Sequence, residues 1–263
     1  MIIVKIGGGA SINLKGIVDD LASLDEPFLV VHGANALRDE LAETLGRPKQ
    51  VLTSVSGYQS VFSDEAAIDT ILMSYAGLRN KRLVELFQQA DVNAVGLSGI
   101  DGRLIQGRRN KGIRVKEGTK TLIKRDFSGK PASVNADLLR LLLNAGYTPV
   151  LSIPIVDENG FAINSENDDI VNAIQAELCA DRIIQLIEAP GFLDDASDES
   201  SVVPTMTRAE LISREEAVEG RIKRKMLALR KLFEGGAARV IIADGRIEHP
   251  IRAALDGQGT IIG

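Results

Sequence analysis

The chain has 263 residues, 44% hydrophobic and 25% charged, with a formal net charge of −5, a composition typical of a soluble globular protein with one large domain or two joined lobes. One cysteine, Cys179, excludes an internal disulfide and a thiolate metal cluster, and two histidines are too few for a histidine-rich zinc site. No apolar run reaches transmembrane length and the first residues resemble a strand instead of a signal peptide, so we expect a cytoplasmic protein without a membrane partner.

An apolar strand followed by three glycines opens the chain. Residues 2–6 are mostly β-branched, which predicts a buried strand of a parallel sheet. The glycines at 7–9 allow a sharp turn with exposed N–H groups, and Asn13 precedes the apolar spacing of a helix. Amides at a helix start attract anions, and Lys5 adds a cation nearby. We therefore predict that this turn holds a phosphate.

Two familiar nucleotide motifs are absent from this turn. Ser11 and Ile12 follow Gly9 and Ala10, so there is no Gly-x-Gly-x-x-Gly, and no Gly-Lys-Ser/Thr follows either. The alternative interpretation is that the glycines only allow the strand to pack closely against a helix.

The same pattern occurs a second time. Residues 28–32 form an apolar run that ends at Gly33, and Leu37, Leu41 and Leu45 then recur at helical spacing before Gly46. Two strand-glycine-helix units side by side predict a doubly wound parallel sheet, with ligands at the carboxyl ends of its strands. Both glycine turns should then face one cleft.

Further strands and helices alternate along the chain. Residues 48–62 lack helical periodicity and predict a strand or hairpin, whereas a helix is expected from an N-cap at Ser63 to about Ala90, with Gly77 as a point where it could break. We expect later helices at 133–143 (capped by Ser133), 162–178, from the capping box at 207–210, 220–234 and from Pro250, and strands at 93–98, 147–152, 182–187, 239–243 and 259–262. A boundary near Pro154 would divide the chain into lobes 1–154 and 155–263.

One segment carries most of the positive charge. Residues 103–130 contain ten Lys or Arg against two acidic residues, a net charge of +8, and the part up to Ile123 alternates like a pair of β-hairpins. A solvated face would explain this charge, and a docking surface for an acidic macromolecule is the functional alternative. Nucleic acid is not expected, because Phe127 is the one aromatic residue in the segment.

Two helix starts in the second half carry unusual charge. Asn164, Asp168 and Asp169 cluster at one, where N-capping accounts for one or two acids only. Residues 220–225 form a glycine followed by a strongly cationic helix start. Such a start opposes the helix dipole and is favourable only if an anion sits there.

Several motifs follow one another along the chain: the glycine turns, residues 80–84 (NKRLV), 93–102 (NAVGLSGIDG), 162–164 (AIN) with Asp168, and 220–225 (GRIKRK). In this order they resemble the amino acid kinase family, specifically its acetylglutamate kinase branch. The resemblance covers nearly the whole chain. Gly220-Arg221 and residues 249–255 (HPIRAAL) are most similar to the lysine-pathway subgroup, which acts on aminoadipate attached to the carrier protein LysW. The resemblance implies a three-layer αβα sandwich with a mainly parallel sheet. It also implies an enzyme that transfers the γ-phosphoryl of ATP to a side-chain carboxylate, with Mg²⁺ bound to the nucleotide.

The resemblance also implies roles for individual residues. In the first lobe it implies phosphoryl contacts from the backbone of Gly7, Gly8 and Gly33, and substrate contacts at Ala34, Asn35 and Val61. Lys5 and Lys225 match lysines on the transferring phosphoryl group, Asp168 matches the carboxylate that orients them, Asn164 matches a substrate-binding asparagine, and Gly191 and Gly220 fall in the nucleotide site. No resident metal ligands are implied.

Three sites, with five residues between them, depart from the family pattern. Ala34 and Asn35 replace two glycines of the second turn, and Val61 stands where relatives have an arginine for the substrate α-carboxylate. Ile187 and Glu188 replace a small hydroxyl residue and an Asp or Asn in the nucleotide loop.

A substrate tethered to a small acidic carrier protein would account for the basic segment and relax the need for an arginine at 61. Arg108, Arg109 and Lys111 are then candidate docking residues. The alternatives are a kinase for free N-acetylglutamate in arginine biosynthesis and a catalytically inactive, nucleotide-binding regulatory subunit. Because the chain starts directly at its first strand, without the N-terminal helix of hexameric relatives, a homodimer is expected.

Overall fold

A computed structural model describes residues 1–53, 55, 59–117, 120–218, 220–237 and 239–263, with the backbone alone at 59–60, 117, 220–222 and 224. The strands in chain order are β1 (Ile2–Ile6), β2 (Phe28–His32), β3 (Val51–Thr53), β4 (Gln59–Val61), β5 (Ala94–Ser98), β6 (Ile105–Arg109), β7 (Ile113–Glu117), β8 (Lys120–Lys124), β9 (Gly129–Val134), β10 (Thr148–Ser152), β11 (Ile155–Val156), β12 (Ala162–Ile163), β13 (Arg182–Ile187), β14 (Thr205–Met206), β15 (Arg239–Asp244) and β16 (Thr260–Ile262). The helices are α1 (Leu14–Ala22), α2 (Asn35–Thr44), α3 (Glu65–Ile71), a π-helix (Leu72–Arg79), α4 (Asn80–Gln89), α5 (Ala136–Asn144), α6 (Asn167–Leu178), α7 (Arg208–Ala217), α8 (Gly220–Glu234) and α9 (Pro250–Leu255), with a short 3₁₀ turn at Asp101–Arg103.

An eight-stranded sheet forms the middle of the molecule, in the order β14-β16-β15-β13-β1-β2-β10-β5. Its neighbouring strands are parallel, except for the antiparallel pair β15 and β16. The first strand lies between β2 and β13, so the four strands of residues 1–154 meet the four strands of residues 155–263 in one continuous sheet. The division at 154 stays a prediction.

Alternate residues of β1 enter two apolar layers, one on each face of the sheet. Ile3 packs into the layer that contains residues of α3, α5, α6 and α8. Ile2 and Val4 pack into the layer that contains residues of α1, α4 and α9. The predicted αβα sandwich with a mainly parallel sheet is therefore confirmed, since a strand buried on both faces needs helices on both sides.

Smaller sheets carry the basic segment. The strands β12-β11-β6-β9 form a four-stranded sheet, and β7 pairs with β8 in a hairpin. The expected pair of hairpins is thus only half right, because β6 pairs with the distant β9 instead of β7. Of the strand or hairpin predicted within residues 48–62, the hairpin is confirmed as the antiparallel pair of β3 and β4, and residues 54 and 56–58 lie outside the described part.

Three predicted helix starts are displaced. The helix expected from 162 begins at Asn167, because Ala162 and Ile163 form β12. Asn135 caps α5 by accepting a hydrogen bond from the Leu138 amide, and Ser133 lies in β9, so the cap expected at Ser133 is wrong. Asp64, not Ser63, caps α3. The helix does not break at Gly77 but continues through it as the π-helix. The capping box of Thr207 is confirmed. Within the described residues, no helix is long and apolar enough to cross a membrane.

Candidate active site

The two glycine turns lie against each other at the carboxyl edge of the sheet. Ile6, the last residue of β1, is in register with His32 on one side and with Leu186 on the other. A Cβ on Gly8 would lie 2.5 Å from the amide nitrogen of Asn35, and one on Gly33 would lie 2.8 Å from that of Gly8. Any side chain would therefore force the turns apart. The expectation that the two turns lie side by side at one edge of the sheet is confirmed, and a shared cleft stays a prediction.

Lys5 and Asp168 form an ion pair beside these turns. Lys5 projects from β1, and Asp168 lies in the first turn of α6, whose N-terminal end adds positive potential. The side chains are only 16% and 28% exposed, so water screens their attraction less than at an open surface. The neighbouring Asn167 donates to the carbonyl of His32 at 3.3 Å. The start of α6 is thus anchored at the end of β2, which brings Asp168 to Lys5.

The other basic helix start contributes an exposed lysine. Lys225 lies in the second turn of α8, which packs against α6, and its side chain is exposed. The structure records no contact between its ammonium group and Lys5, Asp168 or any other residue in the described part of the chain. Gly220 begins α8. A Cβ on Gly191 would lie 2.9 Å from the Thr260 hydroxyl, so close packing against β16 accounts for that glycine.

The residues predicted to contact the acid substrate lie at the second glycine turn (Ala34 and Asn35), in β4 (Val61) and just after β12 (Asn164). The Asn164 amide donates to the Ser63 hydroxyl at 3.1 Å, just before α3. Asn35 accepts a hydrogen bond from the Tyr75 hydroxyl, and Ala34 is fully buried. Val61 lines a pocket of about 490 Å³ whose wall also carries Arg38, Arg47 and Lys49.

A buried histidine and asparagine support the second glycine turn, and sequence reasoning missed both. His32 is fully buried, and its Nε2 lies 3.1 Å from the Asn80 amide nitrogen, which also donates to the Val150 carbonyl at 2.9 Å. Because Asn80 donates, Nε2 accepts, and the ring proton is on Nδ1. Burial lowers the pKa of His32 to about 4, against a weaker opposing effect of its hydrogen bond to the Gly33 carbonyl. A strand ending in His beside a helix containing Asn-Lys was the available signal.

The carboxylate of Glu188 lies against the first glycine turn. Glu188 accepts hydrogen bonds from the amide and the hydroxyl of Ser11, at 3.0 and 2.6 Å. A Cβ on Gly9 would lie 1.9 Å from the Glu188 carboxylate, so that carboxylate lies directly against the turn. The hydrogen bond from the Ser11 hydroxyl is the main cause of the lowered pKa of Glu188. The departure at 187–188 was the sequence signal for this contact.

The three candidate docking residues differ in their surroundings. Arg108 and Lys111 are exposed. The Arg109 guanidinium lies 3.8 Å from the centre of the Phe127 ring, and its Nε donates to the Asp126 carbonyl. Arg109 therefore stabilises the basic segment, whereas the other two side chains point into solvent.

These features define an α/β protein with two glycine turns and a lysine–aspartate pair at the carboxyl ends of its parallel strands, the edge at which open α/β sheets bind ligands. The chain belongs to the amino acid kinase family, which matches residues 1–244. It is 40% identical to a [LysW]-aminoadipate kinase of Thermus thermophilus, with both chains covered completely, and 38% identical to a protein of the same name from Deinococcus radiodurans, with 100% of this chain and 91% of that protein covered. An acetylglutamate kinase of Methanopyrus kandleri is 29% identical over the full length of both.

Solved structures share the fold at lower identity. A crystal structure of N-acetylglutamate synthase from Neisseria gonorrhoeae, complexed with coenzyme A and N-acetyl-glutamate, superimposes with a TM-score of 0.78 at 22% identity. The match covers all of this chain and 59% of that one. This likeness concerns the fold alone.

Proposed function

We propose that this chain is an ATP-dependent kinase that phosphorylates the side-chain carboxylate of 2-aminoadipate carried by LysW, in lysine biosynthesis. The observation that carries the proposal is the full-length 40% identity to a kinase of that name. The Lys5–Asp168 pair beside two glycine turns supports it, because this arrangement suits phosphoryl transfer. A LysW-linked glutamate in arginine biosynthesis is a second acceptor of the same chemistry.

The reaction calls for positioning and charge neutralisation. A carboxylate is already a nucleophile at neutral pH, so no general base is required when one of its oxygens attacks the γ-phosphorus and ADP leaves. In this proposal Lys5 and Lys225 neutralise the charge on the transferring phosphoryl group, and Asp168 orients Lys5. The N–H groups of Gly7, Gly8 and Gly33 donate to the phosphoryl oxygens.

In this proposal the nucleotide binds to the second half of the chain, at Gly191 and at Gly220, where α8 begins. Mg²⁺ enters on the nucleotide phosphates and supplies further charge neutralisation when bound. The described residues contain no group of three or more His, Cys, Asp or Glu that could hold a metal ion.

In this proposal the acid binds at Ala34, Asn35 and the pocket beside Val61 in the first lobe, with Asn164 contributed by the second. An acidic carrier protein would dock on the basic segment, where exposed Arg108 and Lys111 favour encounter with a negatively charged partner. The proposal also keeps the lobes 1–154 and 155–263, a homodimer and a cytoplasmic location.

The alternatives predict different acceptors. A kinase for free N-acetylglutamate would use an untethered acid, which the relative from Methanopyrus kandleri favours and Val61 disfavours. An inactive nucleotide-binding subunit would form no acyl phosphate with any acid, which the presence of Lys5, Asp168 and Lys225 disfavours.

A hydroxamate trap assay, in which hydroxylamine captures an acyl phosphate, distinguishes the proposal from its two alternatives. The purified chain is incubated with MgATP, hydroxylamine and one acceptor: LysW-linked aminoadipate, LysW-linked glutamate or free N-acetylglutamate. Hydroxamate formed fastest with the LysW-linked aminoadipate supports the proposal, and the Lys5→Ala variant serves as the control for contaminating kinases. Preference for the free acid supports the first alternative, and no hydroxamate with any acceptor supports the second.

A further inference from the structure

The π-helix connects both glycine turns. Tyr75, in its middle, donates a hydrogen bond to Asn35 of the second turn. Arg79, its last residue, reaches the first turn, where Nη2 lies 3.5 Å from the Gly9 carbonyl oxygen. Asn80 follows immediately and contacts His32. A π-helical stretch is rare and is frequently found at functional sites.

Arg79 lacks the partner that a partly buried guanidinium needs. Its contact with Gly9 is at the upper limit of a hydrogen bond, and its Nε is buried without any hydrogen-bond partner. The structure records no carboxylate paired with it among the described residues. Burial is the main cause of its lowered pKa, and of its neighbours only Tyr75 opposes that effect.

Other half-buried arginines of the chain are neutralised. Arg38 pairs with Asp39 at 2.7 Å, and Arg230 pairs with Glu215 at 2.7 Å. Leaving a buried charge unpaired is costly, and a guanidinium suits two-point recognition of a carboxylate or phosphate. Arg79 therefore has an unused fork of donors at the place where the two turns meet.

We infer that Arg79 is a binding residue that receives an oxyanion of the ligand at the first glycine turn. The oxyanion is either a carboxylate of the acid or the phosphoryl group of the nucleotide, and both share the geometry that pairs with a guanidinium. This inference rests on the proposed function for the identity of the two ligands. It adds a third cation to the proposed site, supplied by the last residue of the π-helix, next to residues 80–84 that carry part of the family resemblance.

Binding without turnover tests the inference. Calorimetric titrations with MgADP and with N-acetyl-2-aminoadipate are made on the wild type, Arg79→Ala, Arg79→Lys and Arg82→Ala. Arg82 is the matched control, because it lies three residues further along the same helix, is 66% exposed and pairs with Glu85 at the surface. Thermal unfolding of each variant checks that it is folded, and Arg79→Lys keeps the charge if Arg79→Ala does not fold.

Loss of the guanidinium should weaken binding of one probe by about 10- to 100-fold, as for a hydrogen bond to a charged group. Weaker binding of the acid identifies a carboxylate, and weaker binding of MgADP identifies a phosphoryl group. Arg79→Lys should be intermediate, and added guanidinium ion should partly restore Arg79→Ala. Equal affinities of wild type and Arg79→Ala for both probes, including no binding at all, overturn the inference, as does an equal loss in Arg82→Ala. Because no turnover is required, a negative hydroxamate assay would refute the proposed function and leave this result standing.

Discussion

The carboxylate of Glu188 is bound by both donors of Ser11, the amide at 3.0 Å and the hydroxyl at 2.6 Å. These donors belong to the segment that joins the first glycine turn to α1, where a phosphate is expected to bind. The Glu188 carboxylate, just after the end of β13, thus covers part of the surface on which the nucleotide is proposed to bind. A glutamate is already charged at neutral pH, and hydrogen bonding to Ser11 lowers the pKa of Glu188 further.

Removing the negative charge of Glu188 should strengthen binding of the nucleotide. We expect Glu188→Gln to lower KM for MgATP by about twofold to fivefold, a modest effect because the group is exposed, with kcat nearly unchanged. Glu248→Gln is the matched control, since that side chain is 91% exposed and its backbone carbonyl lies against Gly16 at the start of α1. Steady-state kinetics measure both variants. A higher KM in Glu188→Gln would mean that the carboxylate takes part in nucleotide binding.

The lysines of the proposed site should act mainly on the chemical step. Lys5→Ala and Lys225→Ala should each lower kcat by about 10²-fold or more, as expected for positioned donors to a developing charge. Lys231→Ala, on the same helix as Lys225, should leave kcat unchanged. The measurement is kcat at saturating MgATP and acceptor.

Asp168→Asn tests the ion pair separately, since it removes the charge that orients Lys5 but keeps the shape of the side chain. Adding it to Lys5→Ala should cost less than the sum of the two single effects, because the residues act as a unit. Near-normal kcat in Lys5→Ala or in Lys225→Ala would reject the assigned role of that lysine.

Local pattern was enough to predict the sheet and the two turns at its edge, because parallel strands bring their carboxyl ends to one edge irrespective of the connecting loops. The pairing of Lys5 with Asp168 came from the resemblance, and only the three-dimensional structure could show Glu188 on the first turn, since this depends on the register of β1 and β13. The π-helix has no signature in an apolar pattern that also fits a regular helix. Asn135 replaced Ser133 as a cap because pairing with β6 extends β9 to Val134.

The basic segment offers a test of the carrier. Arg108→Ala together with Lys111→Ala should raise KM for a LysW-linked acceptor by about threefold to tenfold at low salt, and the difference should shrink as salt screens the charges. Free N-acetylglutamate should show no such change. Lys15→Ala, a surface lysine on α1, is the control.

Arg109→Ala should behave differently from that double variant, because its guanidinium packs on Phe127. We expect a lower melting temperature for Arg109→Ala along with any change in KM. An unchanged KM for the LysW-linked acceptor at low salt in Arg108→Ala/Lys111→Ala would remove the docking role.

The buried histidine gives the fold a defined pH dependence. The pKa of His32 is lowered from 6.5 to about 4 in the folded chain, so below pH 6.5 the unfolded chain binds a proton that the folded chain does not. The stability that neutral His32 contributes is therefore present above pH 6.5 and is lost as the pH falls towards 4. At pH 4.5 this loss should reach about 2 to 3 kcal/mol of unfolding free energy.

His32→Gln isolates this contribution, because glutamine can still accept the hydrogen bond from Asn80 but does not titrate. Urea unfolding of both proteins is measured at pH 7.5 and 4.5, and carboxylate titration, which both share, cancels in the comparison. The wild type should lose more stability than His32→Gln by the stated amount. Equal losses would show that His32 is protonated without cost in the folded chain, and that the Asn80 contact does not hold it neutral.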